Sequence, residues 1–135
     1  MKIITLLFCF CSSILFAQKL PEKEISAAAL DYILQRESIC KYIQSYKEGN
    51  RTLHIFSSRK EPKNTNAVYI DGTKIIWRVE NDITGVHKGR WRTDASEEVL
   101  TFTIQGDKLI LLVKFSDNST DSKIYSIKKL QVSIK

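Results

Sequence analysis

With 135 residues, 21 basic against 15 acidic side chains and a formal charge of +6, the chain is long enough for one hydrophobic core and short for two. It carries no internal repeat and no low-complexity tract, which excludes solenoid and linker architectures. The positive balance favours phosphates, acidic glycans or a lipid surface as partners, but only as a field that salt screens.

Residues 1–17 have the pattern of a secretory signal peptide. Lys2 supplies the positive start, Ile3 to Phe16 is interrupted only by Thr5, Ser12 and Ser13, and Ala17 is a small residue at which a peptidase can cut. The apolar run, roughly 14 residues, is short of the roughly 20 that cross a bilayer, so a retained anchor is the weaker reading. Leu15 is larger than the cleavage pattern prefers, which lets the cut slip from Ala17 to Gln18. Cys9 and Cys11 each follow a phenylalanine, which argues against lipidation. The expected mature chain, residues 18–135, is one α+β domain, exported to the periplasm or the medium and without a transmembrane segment. It keeps Cys40 as its one cysteine and can form no internal disulfide.

Leu20-Pro21-Glu22-Lys23-Glu24 reads as the start of a helix, because proline suits the first turn and glutamates suit the positive end of the dipole. Apolar residues then recur at Ile25, Ala28, Ala29, Tyr32, Ile33, Ile39, Cys40, Ile43 and Tyr46, close to a 3.6-residue period. The spacing predicts a helix from Glu22 to Lys47, stopped by Gly49-Asn50, with Cys40 on its apolar stripe. Unbroken, it would be about 39 Å long, which favours a bend near Arg36-Glu37-Ser38.

From Arg51 the period becomes 2. Strands are predicted over Thr52–Ser58, Asn66–Ile70, Thr73–Glu80, Gly85–Thr93, Glu98–Gln105, Lys108–Phe115 and Lys123–Ile134. Asp71-Gly72 and Gly106-Asp107 are hairpin signals, and such short connections force antiparallel neighbours. Leu109 to Val113 is apolar on both faces, as in a central strand with a helix over one side. In the last strand Tyr125 and Ile127 alternate on one parity and Leu130, Val132 and Ile134 on the other, so a β-bulge at Lys128-Lys129 is expected. The predicted fold is α+β: an N-terminal helix, straight or bent, on a mostly antiparallel meander of about seven strands, either open or curled into a half-barrel or barrel.

Ile75 to Trp91 is the stretch richest in chemistry. If Asn81 pairs with Gly85, Trp77 falls opposite Gly89, and Ile75, Trp77, Val79 and Trp91 share a core face. Lys74, Arg78, Lys88, Arg90 and Arg92 then share the other face. Pairing Trp91 with Leu100 sets Thr101, Thr103 and Gln105 beside these cations. Guanidinium forks next to hydroxyls suit phosphate, sulfate or carboxylate, so Lys74, Arg78, Lys88, Arg90, Arg92, Thr101 and Thr103 form the candidate anion site. The competing reading is a solvated face paired with Glu80, Glu97 or Glu98, and a one-residue register slip dissolves the patch.

His54 and His87 have no ligand-spaced cysteine or carboxylate beside them, so no metal and no cofactor is expected. His54, between Leu53 and Ile55, is expected to face solvent. His87 is expected on the tryptophan face. There is no G-x-S-x-G elbow and no phosphate-binding glycine loop, and Asp31, Glu37, Asp94, Glu97 and Glu98 read as solvated carboxylates. Export and the core placement of both tryptophans argue against nucleic-acid binding.

The stretch Gly89-Arg90-Trp91, Leu100-Thr101-Phe102, Lys108-Leu109-Ile110-Leu111 and Tyr125 to Val132 resembles the repeated G-x-W, L-x-F and Y-x-I strands of small lipocalin-like domains. The long N-terminal helix departs from that family, so none of its residues is carried over and no family is assigned. The expected function is an exported, non-catalytic binding or inhibitor module for a small anionic ligand or a protein partner. The alternatives are an accessory subunit of the cell envelope and a small hydrolase whose site no motif marks.

Overall fold

The computed structural model describes residues 19–34, 40–58, 64–81, 88–93 and 97–135. The leader, the expected bend at Arg36-Glu37-Ser38, His87, the turn after Asn81, Asp94 and the centre of the loop after Ser58 lie outside the described residues. One helix, α1 (Glu22–Leu34), precedes seven strands, β1 (Cys40–Glu48), β2 (Arg51–Ser58), β3 (Thr65–Asp71), β4 (Lys74–Asn81), β5 (Val99–Gln105), β6 (Lys108–Lys114) and β7 (Thr120–Ser126), and a last helix, α2 (Ile127–Ser133), follows. The strands form one antiparallel meander in chain order, as the short turns require. Among the described residues no helix is long and apolar enough to cross a membrane.

The middle of α1 is buried on every side, Ile25 through Leu30, and Ser26 returns its hydroxyl to the Glu22 carbonyl at 2.6 Å. A helix buried all round is enclosed by its neighbours instead of lying on a flat sheet. α1 touches β1, β2, β3 and β6. In a flat sheet β1 and β6 would be roughly 24 Å apart at about 4.8 Å per strand, more than a helix about 10 Å wide can bridge. The sheet is therefore curled around α1, with Phe56, Val68, Ile75, Leu100, Leu109, Leu111 and Val113 on its inner face. It does not close: α2 stands between the outermost strands, following β7 and accepting the Tyr42 amide at the Ile134 carbonyl, 3.4 Å.

The predicted helix to Lys47 ends at Leu34, and its second half is β1. A bulge between Tyr42 and Gln44 explains the misleading pattern. It makes the step between the inward-facing Tyr42 and Ser45 three residues instead of two, which breaks the alternation that marks a strand, while the three-residue spacing of the apolar Cys40, Ile43 and Tyr46 reads as a helical stripe. They separate in the fold: Cys40 packs on the inner core, Ile43 is 47% exposed, and Tyr46 packs on the outer face. Gly49-Asn50 is the β1–β2 turn, and the positive φ of Gly49, 61°, serves a hairpin as well as a helix stop.

Two further predicted strands change. Residues 88–93 are not a strand, although two hydrogen bonds tie them to β4: Gly89 N–H to the Val79 carbonyl at 2.8 Å and Arg92 N–H to the Trp77 carbonyl at 3.0 Å. A Cβ on Gly89 would stand 3.3 Å from the Val79 Cβ and from its backbone nitrogen, so a side chain here would push Val79 back by a few tenths of an ångström. The segment from Lys123 to Ile134 is strand only to Ser126. The expected bulge at Lys128-Lys129 is a helix instead, capped by Ser126 Oγ, which accepts from Lys129 N–H. The parity switch was a change of period from 2 to 3.6. Leu130 and Ile134, one turn apart, are buried, and Val132 is 72% exposed.

β6 has the expected buried face in Leu109, Leu111 and Val113, but its outer face is partly open, with Leu112 43% exposed. The outer side of β2 to β4 carries a second apolar cluster of Leu53, Ile55, Ala67, Tyr69 and Ile76, with Tyr46 and Trp91 against it.

Candidate functional site: a cationic cleft where β4 and β5 part

The two tryptophans stand on opposite faces. Trp77 belongs to the inner core, and Trp91 packs edge-on against Tyr69 on the outer face, with centroids 4.8 Å apart. The expected register placed Gly89 opposite Trp77, whereas its amide meets Val79. The 88–93 segment also lacks the strand alternation on which a shared face depended.

The cations consequently fall into three groups. Arg78, on the outer face of β4 and 8% exposed, lies under Trp91 at 4.1 Å from the ring centroid. Its Nε donates to Glu80 at 2.9 Å, and Nη2 sits 3.6 Å from Glu48 without a hydrogen bond. Glu80 also receives the Tyr46 hydroxyl at 3.0 Å and Lys88 Nζ at 3.3 Å. Burial would raise the Glu80 carboxyl, but the Tyr46 and Arg78 hydrogen bonds, the Arg78 charge and the Lys88 contact together hold it below the usual range. Burial pushes the Tyr46 hydroxyl up, and its bond to Glu80 adds to that. Arg90 pairs with Glu97. Arg92 reaches the same carboxylate at 3.4 Å and lies 5.1 Å from the Trp77 ring centroid.

The third group lines a cleft. Among the described residues β4 and β5 pair at Lys74↔Thr101 and Ile75↔Leu100 alone, and further along β4 the 88–93 segment takes the place of β5. The opening, about 300 Å³, is lined by Arg51, Lys74 and Arg92, by Tyr69 and Thr93, and by the carboxylates Asp71 and Glu98. Of the seven predicted residues, Lys74 and Arg92 meet here, with Thr101 beside Lys74 as its ladder partner. Arg78 and Lys88 gather at Glu80, Arg90 at Glu97, and Thr103 stands further along β5 opposite Ile110. Arg51, which lies 4.4 Å from the Tyr69 ring centroid, escaped the sequence reading because only strand pairing brings β2 and β3 beside the β4 turn.

His54 does not face solvent. It is 4% exposed on the α1 side of β2, with Nδ1 2.7 Å from Ser45 Oγ and Nε2 3.0 Å from Glu22 Oε2. The alternation with Leu53 and Ile55 was correct, but those two residues fill the outer cluster, which leaves His54 the face that α1 covers.

At the far end of α1, the Tyr32 hydroxyl donates to Asp121 at 2.5 Å, and the Tyr125 hydroxyl donates to Asp31 at 3.0 Å. The bond to Asp121 raises Tyr32 to about 12, and burial followed by the Asp31 charge raises Tyr125 further still. Both phenols are fixed as donors that tie α1 to β7. Among the described residues no group of three or more histidine, cysteine, aspartate or glutamate side chains is placed to hold a metal ion. No family model, curated protein or solved structure matches the chain.

Proposed function

We propose that the protein is an exported binding module that takes a small anionic ligand, a phosphate or a carboxylate, in the cleft between β4 and β5. The observation that carries this reading is the convergence of Arg51, Lys74 and Arg92 on one opening of about 300 Å³, the lower end of small-ligand sites. Arg92 is also met by Glu97, and Asp71 and Glu98 stand in the lining, so an entering anion has to compete with these carboxylates for the three cations. What the site offers an anion is its donor set: the Arg51 and Arg92 forks can each meet two oxygens, and the Lys74 ammonium adds a third cation. One wall is the strand ends of β2, β3 and β4, and the other is the 88–93 segment, tied to β4 through the Arg92 N–H to the Trp77 carbonyl. The signal-peptide pattern of residues 1–17 supports an extracytoplasmic place of work.

The experiment is a calorimetric titration with inorganic phosphate and with acetate, at low and at raised salt. Binding that weakens with salt and falls at least tenfold in Lys74→Gln/Arg92→Gln, while the thermal transition is unchanged, supports the site. Equal binding by that variant, or no heat from either anion, overturns it.

A further inference from the structure

On the inner side of the sheet, away from the cationic cleft, three elements supply the parts of an acyl-transfer site. Ser45 on β1 and His54 on β2 are ladder partners, and Glu22 comes from the first turn of α1. Ser45 Oγ is 2.7 Å from His54 Nδ1, His54 Nε2 is 3.0 Å from Glu22 Oε2, and the Tyr42 hydroxyl is 2.8 Å from Ser45 Oγ. With a neutral imidazole the carboxylate, which can only accept, sets the proton order along the whole chain. Nε2–H donates to Glu22, Nδ1 accepts from the Ser45 hydroxyl, and Tyr42 donates to Ser45. A hydroxyl beside a base that is itself oriented by an acid is the arrangement nucleophilic catalysis requires. Compared with the serine-protease triad the two ring nitrogens have exchanged places, which leaves each role intact.

The serine end of this chain is accessible. Ser45 is half-buried, and Tyr42, Ser45, His54 and Glu22 all line an open cleft of about 640 Å³, with Lys23 and Lys47 at its rim. A network that served only to anchor α1 would not need a ligand-sized cleft at its serine.

We infer that this cleft hydrolyses small acyl esters, with Ser45 as nucleophile, His54 as general base and then general acid, and Glu22 as the positioning residue behind His54. Ser45 Oγ attacks the carbonyl carbon as its proton passes to His54 Nδ1. The Tyr42 hydroxyl, 2.8 Å from Ser45 Oγ, turns from that oxygen to the oxyanion as Oγ bonds to carbon. The bond to the leaving oxygen breaks, His54 returns the proton to it, and an acyl group remains on Ser45. Water, deprotonated by the same nitrogen, then releases the carboxylic acid and restores the serine. Water is the only co-reactant consumed.

The test uses the purified protein with a fluorophosphonate probe and with p-nitrophenyl acetate. The expected result is a covalent adduct that peptide mass spectrometry assigns to Ser45, with steady release of p-nitrophenolate at least tenfold above that of Ser45→Ala. His54→Ala should lose both activities, whereas Glu22→Gln should keep a slower reaction with an altered pH–rate profile. The adduct is read on the unmutated protein, so a variant that fails to fold does not decide the matter. A folded protein that leaves Ser45 unlabelled, or hydrolysis that Ser45→Ala retains, overturns the inference.

Discussion

The Arg78 guanidinium is held between the Trp91 ring, 4.1 Å from its centroid, and the Glu80 carboxylate, 2.9 Å from Nε. Both charged groups are at least nine-tenths buried as side chains, so each replaces much of the solvation the other lost on folding, with the Tyr46 hydroxyl and Lys88 adding to this at Glu80. Removing only one partner is then the damaging change. Arg78→Ala should lower stability by about 2 kcal/mol, since Glu80 loses its buried partner and keeps only the Tyr46 hydroxyl and the exposed Lys88. Arg78→Lys should recover only part of this, because an ammonium cannot both stack on the indole and present a planar fork. Urea unfolding of the two variants and of Arg78→Ala/Glu80→Ala measures the coupling. A double variant no more stable than Arg78→Ala would show that Glu80 is not stranded by the single change.

Asp107, in the β5–β6 turn, organises the start of α2. Its carbonyl accepts Ile127 N–H at 2.9 Å, and its carboxylate accepts Lys128 N–H at 3.0 Å and the Ser126 hydroxyl at 2.7 Å. The Ser126 bond, followed by the Lys128 amide, holds this carboxyl below its usual range. A depressed folded value means that the stabilising contribution is complete above the ordinary aspartate range and disappears as pH falls through the folded value. Amide exchange at Lys128 and Lys129 should therefore speed up, relative to the β5–β6 ladder, as the solution is acidified below about pH 4. Asp107→Ala should show that faster exchange at neutral pH and lose the acid step.

The tight packing around α1 predicts an asymmetry between adding and exposing volume. Ala28 is fully buried and belongs to the core cluster that includes Phe56 and Val68. Ala28→Leu should cost about 1–3 kcal/mol by overpacking. Lys23, exposed on the same helix, should tolerate alanine within about 0.5 kcal/mol. Thermal unfolding of the two single variants provides the comparison.

The export reading makes a prediction that needs no structure. Protein recovered from the extracytoplasmic fraction should begin at Gln18, or at Lys19 if Leu15 shifts the cut. Edman or mass-spectrometric sequencing of that fraction decides it, and a chain that still begins at Met1 would contradict removal of the leader.

The sequence carried the meander in its turns. Asp71-Gly72 and Gly106-Asp107 lie at the β3–β4 and β5–β6 hairpins, where short connections leave antiparallel pairing as the one option. It did not carry β1, because the bulge after Tyr42 altered the period that distinguishes strand from helix. At the candidate site, alternation put Lys74 and Thr101 on one face, but they are neighbours only because β4 pairs directly with β5, where a strand over Gly85–Thr93 was expected between them. Arg51 did not follow from alternation, since its place depends on which strands the meander brings beside β4. Ser45, His54 and Glu22 were hidden for a different reason. Alternation tells which residues share a face but not which face a helix will cover, and β2 is buried on both sides.

The C-terminal segment gives the sharpest discrimination between the strand that alternation suggested and the helix that forms. In a strand Leu130, Val132 and Ile134 would share one face and be equally buried. In α2 a two-residue step turns the side chain through about 200°, so Val132 points away from the Leu130–Ile134 side. Leu130→Ala should then lower stability by about 2–4 kcal/mol through loss of apolar contact and the space left behind. Val132→Asp should change it by less than about 0.5 kcal/mol, because that side chain is 72% exposed. Equal destabilisation of the two variants in urea would put both side chains on one buried face and refute the helix. A large loss at Leu130 with none at Val132 would also explain how α2 shields the inner core where the sheet stays open, since the tie from Ile134 to Tyr42 lies one helical turn beyond Leu130.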